Sequence, residues 1–118
     1  MQTTLGHLAN AEPALARLAA QRMPAKAAYV AAKLVRAVAD EVKHFHAQRE
    51  SLIRELGKEQ DGRIEVQPAN LPDFVTRLNE LARVEVELAA SPVDLACVTD
   101  ITPEDLLLLG DLVTGEPA

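Results

Sequence analysis

The sequence predicts a mainly α fold: a helical hairpin with one long coiled-coil-like helix, followed by a small C-terminal α+β portion. Three observations point there. Residues 25–56 contain neither Gly nor Pro and carry a heptad stripe of apolar residues. A shorter leucine-spaced segment precedes them across the break at Met23-Pro24. Beyond residue 57, the apolar spacing twice shortens to two, the period of a strand, between segments with helical spacing.

Elements follow in order along the chain. Thr3 and Thr4 each offer a helix cap, and Leu5, Leu8, Leu15 and Leu18 then share one face. Pro13 either kinks a helix over residues 4–21 or sits in the first turn of a helix capped by Asn10. The long helix restarts at Pro24. With Ala28 at position a, the a residues are Ala28, Val35, Val42, Arg49 and Leu56, and the d residues Ala31, Val38, Phe45 and Leu52. Only Arg49 interrupts an apolar row, and a narrow seam of this kind requires cover by another helix.

Gly57 reads as the C-cap and residues 58–62 as a loop. Arg63 to Gln67 alternates polar with apolar residues, a single-strand signal that Pro68 ends. Asn70 caps the next helix, with Pro72 in its first turn and Phe74, Val75, Leu78, Leu81 and Ala82 as its apolar face. Val84, Val86 and Leu88 alternate with Glu85 and Glu87, either a helix end or a strand. Residues 91–98 read as extended. Thr102-Pro103-Glu104-Asp105 opens a closing helix over residues 103–113. Leu106 to Leu109 cannot all face one side of it. The chain thus divides into a hairpin, residues 1–57, and an acidic portion, residues 58–118, within one structural domain.

Composition narrows the function classes. Hydrophobic residues make up 48%, too many for a disordered chain. They are mostly Ala, Leu and Val, with two Phe, one Tyr and no Trp. A core so poor in large side chains points to a homo-oligomer or a protein partner as supplementary cover. Cys97 is the only cysteine, which excludes an internal disulfide and a cysteine-based zinc site. No signal-peptide pattern and no membrane-length apolar run is present, so the expected location is a reducing intracellular compartment. The net charge of −6 is unevenly placed. Residues 1–57 carry eight basic against five acidic residues, and residues 58–118 four against thirteen. The two halves are therefore expected to attract.

Chemistry-bearing patterns are sparse. His44 and His46, two apart on a helix, point about 200° from each other and cannot share an ion. Glu41 and His44 have the spacing used in di-iron bundles, but no second such motif exists in the chain. Ser51 and Cys97 lack the surroundings of a nucleophile, and the five glycines form no phosphate loop. No catalytic residue, cofactor or metal site is assigned, and the expectation is that the protein is not an enzyme. Arg22, Lys26, Lys33, Arg36 and Lys43 form a basic stripe opposite the seam, with Tyr29 and Asp40 between them. It reads as a solvated face or a dock for acidic residues; an acidic chain with few aromatics does not suit nucleic acid.

The candidate residues are therefore those of protein–protein contact: Val35, Val38, Val42, Phe45, Arg49, Leu52 and Leu56 on the long helix, and Leu106, Leu107 and Leu109 on the closing one. Arg49 within the seam would fix register or oligomeric state, or lie at its rim with the head in water.

The order of segments resembles a family of short proteins encoded in bacteriophage and prophage genomes. The matching pieces are Arg22-Met23-Pro24, then Ala31, Leu34, Phe45, Arg49 and Leu52, then Asn70-Leu71-Pro72-Asp73-Phe74, Glu85-Val86-Glu87-Leu88 and Ile101 to Leu106. The resemblance implies a viral origin, a location in the host cytoplasm or on the virion, and a structural or regulatory role, and assigns no functional residue. The first expectation is a phage structural or assembly protein acting through helix-mediated contacts. The alternative is an acidic inhibitor or adaptor that binds one enzyme through Glu80, Glu85, Glu87, Asp94, Asp100, Glu104, Asp105 and Asp111.

Overall fold

A computed structural model describes residues 1–115. The fold is mainly α with a small α+β portion, built along α2 (Ala25–Leu56). Thirty-two residues at 1.5 Å each give a rod of about 48 Å. The whole molecule measures 51 × 28 × 22 Å, so α2 runs its full length. The radius of gyration is 17.0 Å, against about 13.5 Å for a rounded domain of this size.

Two helices lie end to end along α2. The first, α1 (Leu5–Ala19), covers its N-terminal half, and α3 (Leu71–Ala82) covers its C-terminal end. α1 is one continuous helix through Pro13, which settles the alternatives left open at that residue. Thr4 is its cap, the hydroxyl oxygen accepting from the His7 N–H at 3.3 Å. α1 meets α3 where Gly6 faces Ala82. A Cβ on Gly6 would lie 2.8 Å from the Ala82 Cβ and 3.0 Å from its carbonyl oxygen.

The strands form three small pairs. β1 (Gln2–Thr4) runs antiparallel to β4 (Glu85–Glu87), with Thr3 opposite Val86. The alternation after Arg83 is thus a strand, not a helix end. β2 (Gly57–Gln60) and β3 (Arg63–Val66) make an antiparallel hairpin at the tip of α2. β5 (Val93–Asp94) and β6 (Val113–Thr114) pair in parallel.

The hairpin corrects two expectations. Residues 58–62 are not a loop, because Asp61 (φ 52°) and Gly62 (φ 77°) form a two-residue turn with positive φ at both positions. Gly57 is not a left-handed cap but extended backbone (φ −102°, ψ 171°) that enters β2 directly. Its hydrogen matters because Ile64 Cγ2 and the Glu65 carbonyl close over it, 2.8 and 2.9 Å from where a Cβ would sit. Asn70 also departs from its expected role. Its side chain does not cap α3 but donates to the Leu56 carbonyl at 3.1 Å, tying the start of α3 to the end of α2.

The core lies at one end of the rod. Leu8, Leu15 and Leu18 of α1 pack with Leu34, Val38 and Val42 of α2, with Leu88, Val93, Leu95 and Val98 closing over them. α4 (Pro103–Leu109) completes it through Leu109, and Leu112 follows. The N-terminal hairpin and the acidic portion are therefore interleaved, since β1 pairs with β4 and α1 packs against α4. Gln21, just past α1, holds the loop before α4. Its carbonyl oxygen accepts from the Thr99 and Asp100 N–H groups and from the Thr99 hydroxyl, at 3.0 to 3.1 Å.

Candidate interaction surface

The heptad stripe does not remain one seam. The buried residues of α2 are Ala31, Leu34, Val38, Val42 and Phe45, so the inward face includes Leu34, which lies outside the a and d positions. Ala28 is exposed and Val35 half-buried. A straight helix drifts about 20° per heptad against a strict seven-residue repeat. Here two short partners meet α2 in succession, and no single supercoiled helix follows it, so nothing forces the stripe to stay aligned.

That burial corrects the candidate residues. Val38, Val42, Phe45 and Leu109 are enclosed within the chain and present no surface to a partner. Leu52 and Leu56 are half-buried beside α3 and the hairpin. Arg49 is exposed and makes no ion pair among the described residues, which corresponds to the rim position and not to a buried register lock. The four leucines of α4 divide: Leu109 is fully buried, Leu106 and Leu108 half-buried, and Leu107 84% exposed.

The expected attraction of the basic half for the acidic one is realised by Arg17, while the ion pair of Arg77 runs the opposite way, from the acidic half to Glu55 of the basic one. Arg17 of α1 grips Asp105 of α4 with two hydrogen bonds. Arg77 of α3 meets Glu55 of α2 at 2.9 Å and approaches Asp73 at 3.8 Å. The hydrogen bond from Arg17 is the main cause holding the Asp105 carboxyl below its usual range, with Arg17 raised in turn. The hydrogen bond from Arg77 likewise lowers Glu55. The basic stripe takes no part: Arg22, Lys26, Lys33, Arg36 and Lys43 are exposed and unpaired among the described residues. The Lys33 ammonium lies 5.6 Å from the centre of the Tyr29 ring.

Several acidic residues have structural work. Glu87 binds the amino terminus at 2.8 Å, and Asp94 accepts from the Ala96 N–H at 3.0 Å. Glu104 and Asp105 lie in the first turn of α4, capped by Thr102. His44 and His46 are exposed. Among the described residues there is no group of three or more His, Cys, Asp or Glu able to hold a metal ion. No described helix is long and apolar enough to cross a membrane. Cys97 is half-buried in a cleft of about 450 Å³ between the start of α2 and residues 91–97.

The most distinctive surface is the far end of the rod. From His46 to Glu87 no residue is buried. The end of α2, the hairpin and α3 form a single-layer arm projecting from the packed body. Leu52, Ile53, Leu56, Phe74, Leu78 and Leu81 are only half-covered within it. Ile64, Leu71 and Val75 are 43, 49 and 47% exposed. Val75 was expected on the covered face of α3; instead α3 turns Phe74, Leu78 and Leu81 inward and leaves Leu71 and Val75, one turn apart, on its flank. A groove of about 280 Å³ runs between the two helices, with Leu52, Leu81 and Val84 between the polar ends of Gln48, Arg77 and Glu80.

Compared with protein-family models, curated proteins and solved structures, the chain has no match in any of the three.

Proposed function

We propose that the protein is a non-enzymatic structural or assembly protein of bacteriophage or prophage origin. It works through helix-mediated contacts, with itself and with a further protein, in the host cytoplasm or on the virion. The observation that carries this reading is the arm, two helices and a hairpin that leave their apolar side chains without a core. Apolar surface of this kind on a projecting element marks a contact site. The alternative, an acidic inhibitor, receives less support, because Glu87, Asp94 and Asp105 are engaged in holding the fold.

The test is made in the host that encodes the chain. After induction, assembly intermediates and particles are purified from cells carrying the wild type or a Phe74→Asp variant. The reading expects the wild type in those assemblies and the variant absent. Recovery only as a small complex with one enzyme, unaffected by the variant, would favour the inhibitor.

A further inference from the structure

Resting on that reading of helix-mediated contact, we propose that the outward face of α2 docks an acidic helix of a different protein, along the row Lys26, Tyr29, Lys33, Arg36, Asp40 and Lys43. The spacing alternates between three and four residues, so all six lie on one side of α2. Each of them is exposed, whereas Leu34, Val38 and Val42 turn to the core. The row is about 26 Å long. Tyr29 is 66% exposed, with the Lys33 ammonium 5.6 Å from its ring centre. Tyr29, Lys33, Arg36 and Asp40 border a single groove of about 480 Å³, together with Ala32 and Ala37.

Charge complementarity selects the occupant. The row holds four cations and one carboxylate, +3 in a chain of −6, so the rest of the chain carries −9. None of the four cations has an ion pair among the described residues. A partner helix with acids at the same alternating spacing meets them in register along the whole row, as the charged flanks of paired helices do. Asp40 then takes one cation from that helix, which fixes its position. Tyr29 and Arg36 are of the residue types that most often anchor a contact.

A second copy does not fit this face. Set against itself, the row brings +3 onto +3. The other helices, α1, α3 and α4, carry at most two acids each. The acids from Glu85 to Asp111 lie in loops or on elements of two to seven residues, the longest about 10 Å. None can follow the row. Nucleic acid fits it less well than an acidic helix, because Asp40 interrupts the cations and the −9 on the remainder repels a long polyanion. The footprint, about 26 Å by one helix width of about 10 Å, is below that of a standard interface, so the contact is a transient one.

Fluorescence anisotropy with the full chain and a labelled synthetic peptide tests this. The peptide is an Ala-based helix of about 20 residues with Glu at alternating three- and four-residue spacing. It should bind at low salt, and a scrambled peptide of the same composition should bind about tenfold more weakly. Lys33→Glu/Arg36→Glu, at exposed positions and with unchanged helicity, should lose the Glu peptide. The same variant should recover binding to a peptide with Lys at the two central Glu positions. Equal binding of the scrambled peptide, or a variant that binds as the wild type does, would overturn the proposal. Tighter binding of a DNA duplex of about 20 bp would also overturn it, assigning the row to nucleic acid. So would a wild-type mass in light scattering that doubles from 12.7 kDa while the variant stays monomeric, assigning the row to a second copy. The particle-association test turns on Phe74 of the arm and judges the assembly reading separately, so the two readings can fail independently.

Discussion

Arg17 and Asp105, 88 residues apart, join α1 to α4 through a two-point contact, Nε to Oδ2 at 3.1 Å and Nη2 to Oδ1 at 2.5 Å. The carboxylate is largely covered while the guanidinium is open to water. Asp105 also donates its backbone N–H to the Thr102 hydroxyl, so one residue sets both the start of α4 and its seat on α1.

This contact gives the stability a defined pH dependence. The folded Asp105 titrates below its unfolded value near 3.9. Between the two values the unfolded chain binds more protons, so the contribution is present above about pH 4 and lost as pH falls through the folded value. Asp105→Asn should lower Tm at neutral pH, and the gap to wild type should narrow towards pH 3. A gap that stays constant across thermal melts from pH 3 to 7 would assign the effect to packing.

Gly6 separates two opposed effects. On propensity alone, Gly→Ala inside a helix stabilises by about 1 kcal/mol. Here the new Cβ would press on the Ala82 Cβ and its backbone carbonyl, which cannot swing aside. Gly6→Ala should therefore destabilise by about 1–3 kcal/mol in urea unfolding. Adding Ala82→Gly should recover part of that loss, which locates the cost at the α1–α3 junction.

Leu34 and Val35 distinguish the observed packing from the heptad stripe. Leu34 is fully buried, whereas Val35 lies at the edge of the core. Leu34→Ala should cost about 2–5 kcal/mol. Val35→Ala should cost roughly 1 kcal/mol. Urea midpoints in the reverse order would restore the strict a/d seam.

The extent of α2 is legible because local chemistry marks both ends, Pro24 before it and Gly57 after it. The start of α4 is legible for the same reason, since Thr102, Pro103 and Asp105 are adjacent in sequence. The strand at residues 85–87 shows in its alternation, but its partner at residues 2–4 is far away and too short to carry a pattern. The hairpin at residues 57–66 had a readable signal in Asp61-Gly62, obscured by the polar residues before it. The rotation of the buried face to Leu34 was not readable, because it depends on where α1 ends and α3 begins to cover α2. The exposure of Leu71 and Val75 depends likewise on how α3 is turned, which Asn70 and Arg77 set through contacts with residues 55 and 56.

The arm at the far end of α2 lacks a core of its own within the chain, since no residue from His46 to Glu87 is buried. Amide hydrogen exchange tests this most directly. The amides of α3 should exchange far faster than those of α1, because an element without buried residues opens at low cost. Protection of α3 equal to that of α1 would contradict the account.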